Sequence, residues 1–184
     1  MRIKDMVFLS MLSALAFVSV MFIRIPIMPS APFLRFDLKD CIIIIGGLLY
    51  GPLTAFIVSL IVGVIQLLLV SEYGIIGFLM NLLSSASFVC TASAVYKLNK
   101  TRAGLITGLI LGCVLMTASM LMWNYIITPF FMGVSREVVA SMLLTVFLPF
   151  NLLKGGINMI ITLLYIRPLR AAVSALKFYD DEAI

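Results

Sequence analysis

Residues Leu53 to Val70 read LTAFIVSLIVGVIQLLLV, a run without a single charged side chain. A helix crossing the hydrocarbon core of a bilayer needs about 20 mostly apolar residues, so this stretch predicts a membrane span. Gly51-Pro52 breaks the chain before it and Ser71-Glu72-Tyr73-Gly74 after it. Comparable runs lie on both sides: about Met6 to Ile23 or Arg24, Asp40 or Cys41 to Tyr50, Ile75 to Tyr96, Ala103 to Ile127, and Met142 to Ile166. Charged, proline and glycine clusters separate them, which predicts an all-α bundle of six transmembrane helices, the second of them short.

Composition agrees. Of 184 residues 63% are hydrophobic and 11% charged, against roughly 25% charged in soluble domains. No linker, low-complexity tract or repeat divides the chain, so residues 1–184 are read as one membrane domain. Arg2 and Lys4 ahead of the first apolar run mimic a signal peptide, but no small-residue cleavage site follows, and an uncleaved first helix is expected. With six spans and both termini cytoplasmic, Arg2, Lys4, Lys97, Lys100, Arg102, Arg167, Arg170 and Lys177 lie inside, and Arg24, Arg35, Lys39 and Arg136 outside. That asymmetry follows the positive-inside rule and accounts for the net charge of +5 without nucleic acid.

Function classes fall away with equal directness. Cys41, Cys90 and Cys113 stand singly in apolar segments and the chain has no histidine, so no metal site is expected and the cysteines are read as packing residues. There is no phosphate-binding glycine loop, nucleophile elbow or carboxylate pair within one apolar segment, so no enzymatic chemistry is supported.

The informative residues are polar ones in apolar company. Lys154 follows Pro149-Phe150-Asn151-Leu152-Leu153, and an unpaired ammonium in a bilayer is costly, which marks it as a functional candidate. Asn151, Lys154 and Asn158 share one helical face by their spacing. The alternative is that Lys154 snorkels to the outer interface while Asn151 satisfies backbone freed by Pro149. Asn124, between Trp123 and Tyr125, is either a ligand contact or part of an interfacial aromatic belt. Asn81 points to a cavity or, with Ser84, Ser85 and Ser87, to close helix packing. Gln66, Asp37 and Asp40 complete the polar set near the outer face, the aspartates alternatively capping the second helix.

Two interruptions shape the expected topology. Pro26 to Lys39 holds three prolines and several charges, too polar and broken for lipid, and is expected as a loop that folds over the membrane face as a lid. The fifth helix is expected to break at Thr128-Pro129, and the sixth to be interrupted by Pro149. Amides and one cation among aromatics suit capture of a planar, heteroatom-rich molecule. An integral membrane enzyme using Lys154 or the loop acids, and a stand-alone carrier, are the competing classes.

The chain resembles the substrate-binding S components of energy-coupling factor (ECF) transporters, bacterial six-helix membrane proteins that capture vitamins. The resemblance covers nearly the whole chain and is carried by Leu12-Ser13-Ala14-Leu15-Ala16-Phe17, Phe33-Leu34-Arg35-Phe36-Asp37-Leu38-Lys39-Asp40, Tyr50-Gly51-Pro52, Asn124-Tyr125, and Leu148-Pro149-Phe150-Asn151-Leu152-Leu153-Lys154-Gly155. It is closest to the riboflavin-specific branch. The resemblance implies Asn124, Asn151 and Lys154 as flavin contacts, Phe36 and Asp37 as contacts from a closing loop, and Asn81 as a further lining residue. It implies docking on a transmembrane T component through small residues of the first helix, here Ser10 and Ala14. It further implies a plasma-membrane location, two partner ATPases, toppling of the S component to release its cargo inside, and riboflavin as transported ligand with no cofactor. One departure stands out: riboflavin members tend to carry a Lys-Asn pair in the third helix where this chain has Val62-Gly63.

Overall fold

The computed structural model describes residues 3–29, 31–70 and 73–181, with side chains described through Ile166 and at Pro168. Arg2, the Ser71-Glu72 break and the side chains of Arg167, Arg170 and Lys177 lie outside the described residues. The helices are α1 (Ile3–Phe22), α2 (Lys39–Tyr50), α3 (Pro52–Leu69), α4 (Gly74–Leu98), α5 (Arg102–Met132), α6 (Arg136–Met142) and α7 (Leu148–Asp181). A π-helical turn, Leu143–Phe147, joins the last two, and a ribbon of strands β1 (Arg24–Pro26) and β2 (Arg35–Asp37) follows α1.

Among the described residues, five stretches are long and apolar enough to cross a membrane: α1, α3, α4, α5 and the run from Arg136 to Ile166. Large apolar side chains stand exposed on their outer faces, among them Leu68, Phe130 and Leu164. An apolar exterior of this kind fits a lipid solvent, and the chain is a multi-pass membrane protein. The expected second span is different in kind. Helix α2 has 12 residues, about 18 Å of rise, and buries Lys39, Asp40, Cys41, Ile43, Ile44, Gly46 and Gly47 against its neighbours.

Three expectations about breaks are corrected. Helix α5 does not stop at Thr128-Pro129 but runs to Met132 and ends at Gly133, whose φ of 66° supplies the left-handed turn. Proline costs a helix one backbone bond, but Asn124, Thr128 and Pro129 are buried, and the Gly133 and Val134 N–H groups close on the Pro129 carbonyl. The last span begins at Arg136 instead of Met142 and passes Pro149 without a break. Its Leu148 N–H bonds the Leu143 carbonyl five residues back, and this wider turn makes room for the proline ring that follows. The segment Pro26 to Lys39 is not all loop. Arg24 pairs with Asp37, Ile25 with Phe36 and Pro26 with Arg35, antiparallel, and α2 already begins at Lys39.

A close helix contact between α4 and α5 explains a glycine spacing. Gly104, Gly108 and Gly112 recur every four residues on α5, and all three are buried. A Cβ at Gly108 would sit 2.7 Å from the Ala92 carbonyl oxygen, and one at Gly112 2.7 Å from that of Phe88, both on α4. Small residues let helix backbones approach in a membrane, where dispersion replaces the hydrophobic drive. Gly112→Ala is therefore expected to destabilise the bundle by about 1–3 kcal/mol, read as a lower midpoint of thermal unfolding in detergent. An unchanged midpoint would mean that α4 has slack at this contact.

Candidate functional site

The ribbon closes over one end of α3, α4, α5 and α7, and between them lies a cavity of about 180 Å³. Its apolar walls include Phe33, Leu67, Phe78, Ile127, Phe131 and Phe150, and its polar groups include Arg24, Arg35, Asp37, Gln66, Asn81, Asn124, Asn151 and Lys154. Two contacts tie the rim. Tyr73 meets Phe131 edge to face with centroids 5.5 Å apart, and the Arg24 guanidinium donates to the Val70 carbonyl at 3.3 Å.

The α7 stripe folds as its spacing predicts: Asn151, Lys154 and Asn158 are all buried. Only the first two line the cavity, whereas Asn158 accepts a bond from the Cys41 thiol of α2 at 2.8 Å. A backbone partner sets the polarity of two of the cavity amides, Asn124 and Asn151. A carbonyl only accepts, so the Asn151 Nδ2 faces the Phe147 oxygen at 2.8 Å, which leaves Oδ1 buried with no partner among the described residues. Asn124 likewise donates through Nδ2 to Met120 O at 2.7 Å, while its Oδ1 accepts from the Thr128 hydroxyl at 2.9 Å. What remains is one N–H each on Asn124 and Asn151, both donors, and Oδ1 of Asn151, an acceptor. The Lys154 ammonium adds a cationic donor.

Lys154 does not snorkel to the interface. It is 4% exposed, and its Nζ lies 3.6 Å from Asp40 and 3.9 Å from Asp37. Lys39, expected among the outward-facing charges, is 1% exposed and pairs with Asp37 at 3.0 Å and Asp40 at 3.8 Å. The cluster holds two cations and two anions, so the charges cancel where desolvation would penalise any one alone. Burial pushes the Asp37 carboxyl up, but the Lys154 and Lys39 ammoniums outweigh it, and the group stays below its ordinary value of 3.8. The aspartates do not cap α2: Leu38 is the capping residue and no side chain bonds the helix end.

The ribbon sorts the loop residues by alternation. Successive strand side chains point to opposite faces, so Arg35 and Asp37 line the cavity while Phe36, 5% exposed, is buried outside its lining. Asn81 lines the cavity; Ser84 does too, whereas Ser85 is buried away from it. Ser10 and Ala14 are exposed on α1, away from the cavity. At the Val62-Gly63 departure, Val62 is buried and Gly63 lines the cavity, with Phe78 packed where a side chain would go. The residues that sequence reasoning left without a role are Lys39, Gln66, Arg24 and Arg35. Gln66 carried a readable signal, being the sole amide in a helix with no charged residue; Lys39 carried none, because a lysine in a polar loop reads as solvated.

Comparison with known proteins gives this architecture its place. Residues 4–166 match the family described as "ECF transporter, substrate-specific component". The chain is 34% identical over 171 residues to the riboflavin transporter RibU of Staphylococcus aureus, covering 89% of each chain. It is 30% identical over 177 residues to the riboflavin transporter FmnP of Bacillus subtilis, covering 91% of this chain and 93% of that one. A structure titled "Structure and mechanism of the S component of a bacterial ECF transporter" superposes with a TM-score of 0.80 at 32% identity, over 92% of this chain and 97% of that one. A buried, amide-lined cavity in a helical membrane bundle, matched over nearly its full length, thus makes the chain a member of the substrate-specific S-component family of ECF transporters, a transporter subunit and not an enzyme.

Proposed function

We propose that this chain is a riboflavin-binding S component. The observation that carries the reading is the polarity of the cavity: the Asn151 acceptor lies in one lining with the Asn124 and Lys154 donors. The imide edge of an isoalloxazine ring presents the complement, an N–H between two carbonyls, and aromatic walls suit its faces. Relatives named as riboflavin transporters at 34% and 30% identity support the same ligand.

In this reading the protein lies in the bacterial plasma membrane and crosses it six times, with α2 as the short second span beneath the ribbon and both ends cytoplasmic. Lys97, Lys100 and Arg102 then lie inside, as the positive-inside rule asks. It captures the vitamin from outside, docks on a T component, topples within the membrane and releases its cargo inside, with ATP hydrolysed by two partner ATPases. The flavin is cargo and not a cofactor.

The test is an absorption spectrum of the detergent-purified protein. A flavin band that is released on denaturation supports the reading; a colourless protein that takes up no added riboflavin sinks it. Docking has its own test. Ser10 and Ala14 are exposed one turn apart on α1, where small side chains permit close helix approach. Ser10→Leu and Ala14→Leu are expected to leave riboflavin affinity within about twofold and to cut uptake by the assembled transporter about tenfold or more. Undiminished uptake in both would exclude this face.

A further inference from the structure

Lys39 is buried, charged and absent from the cavity lining, yet it is tied to the cavity by a chain of amides. Its Nζ donates to Asn81 Oδ1 at 2.7 Å. Asn81 Nδ2 donates to Gln66 Oε1 at 3.1 Å. The order is chemically forced, since an ammonium has three donors and no acceptor. Asn81 must turn its oxygen to Lys39, so its nitrogen faces Gln66, and Gln66 in turn must offer its oxygen. The Gln66 Nε2 is left over, engaged by no bond among the described residues, on a side chain 7% exposed that lines the cavity.

We propose that Lys39 is a positioning residue that fixes the polarity of the α3 and α4 wall, so that Gln66 and Asn81 present N–H donors to the cavity and take hydroxyl oxygens of the ligand's polyol chain. Without a donor at position 39, both amides are free to rotate, and each rotation puts an acceptor where a donor stood. The two walls then divide the ligand between them. The α5 and α7 wall, with Asn124, Asn151 and Lys154, faces the imide, and the α3 and α4 wall faces the polyol. Lys39 acts without touching the ligand. Its ion pairs with Asp37 and Asp40 hold the ammonium in place at the start of α2.

The identity of the acceptor rests on the riboflavin reading, so the experiment separates the two. Riboflavin and lumiflavin, which carries a methyl group in place of the ribityl chain, are titrated into the full-length protein and into Lys39→Met. They are also titrated into Lys39→Met/Asp40→Asn, which removes one charge of each sign and preserves the balance of the buried cluster if the single variant does not fold. Riboflavin affinity is expected to fall about tenfold or more, and lumiflavin affinity to stay within about twofold. Equal losses for both flavins, or no loss, would overturn the proposal, because a merely structural lysine does not distinguish them. Side-chain amide exchange in protein labelled with ¹⁵N-asparagine gives a readout without flavin. The Asn81 Nδ2 pair, assigned by its absence in Asn81→Leu, is expected to be protected in wild type and to exchange at least about tenfold faster in the double variant. If wild type ignores both flavins, the riboflavin reading fails, and unchanged amide protection alone then refutes the relay.

Discussion

Lys154→Ala is expected to weaken riboflavin binding about 100-fold, because a hydrogen bond from a charged donor in a dry site contributes about 1.5–3 kcal/mol. The same substitution is expected to lower stability, since it leaves the buried cluster of Lys39, Asp37 and Asp40 with an excess negative charge. Breaking a buried ion cluster in this way costs about 3–5 kcal/mol when no partner remains, and less here because Lys39 stays. Binding and stability are separable. In Lys154→Ala/Asp40→Asn one charge of each sign is gone, so the unfolding midpoint should recover while affinity does not. Recovery of affinity in the double variant would mean that Lys154 serves only to neutralise Asp40, and the cavity would lose its cationic donor as a ligand contact.

Asn151→Leu is the second large effect. The residue is 1% exposed, its nitrogen is held by the Phe147 carbonyl, and its oxygen is the acceptor left in the cavity. Replacement by leucine, which has the same branching and number of side-chain heavy atoms, removes the acceptor and the remaining N–H, which is expected to cost riboflavin about 10- to 100-fold in affinity. The imide N–H can be removed from the other side by methylating N3. If Asn151 accepts from that N–H, the two losses are not additive: N3-methylriboflavin should bind wild type and Asn151→Leu about equally. Additive losses would place the N–H against another residue.

Lipid is a demanding solvent, and that is why the spans were legible. Charges and proline clusters cannot lie in hydrocarbon, so the run from Leu53 to Val70 announced α3 within a residue or so. Where tertiary contacts decide, the reading failed in identifiable ways. Pro129 looked like a terminator, but burial of Asn124 and Thr128 carries α5 past it. Pro149 looked like a kink, and a π turn absorbs it. Both are cases where local preference yields to packing.

The site was half legible for the same reason. Asn151 and Lys154 stood out because polar side chains inside an apolar run are costly unless used, and their shared face follows from helix geometry. Lys39 stood in a segment already rich in charge, where nothing in the sequence separates a solvated lysine from one sealed beneath Asp37 and Asn81. Phe36 was assigned to the ligand from its place in the loop, and the strand's alternation turns it away in favour of Arg35 and Asp37. One residue of register separates these outcomes.

Titration of riboflavin into the purified, ligand-stripped protein, followed by flavin fluorescence, tests the central claim most directly. Saturable quenching at one flavin per chain, weakened in Asn151→Leu and Lys154→Ala/Asp40→Asn, is the predicted result. Absence of quenching in wild type, or quenching unaffected by both variants, would contradict a flavin seated against Asn124, Asn151 and Lys154.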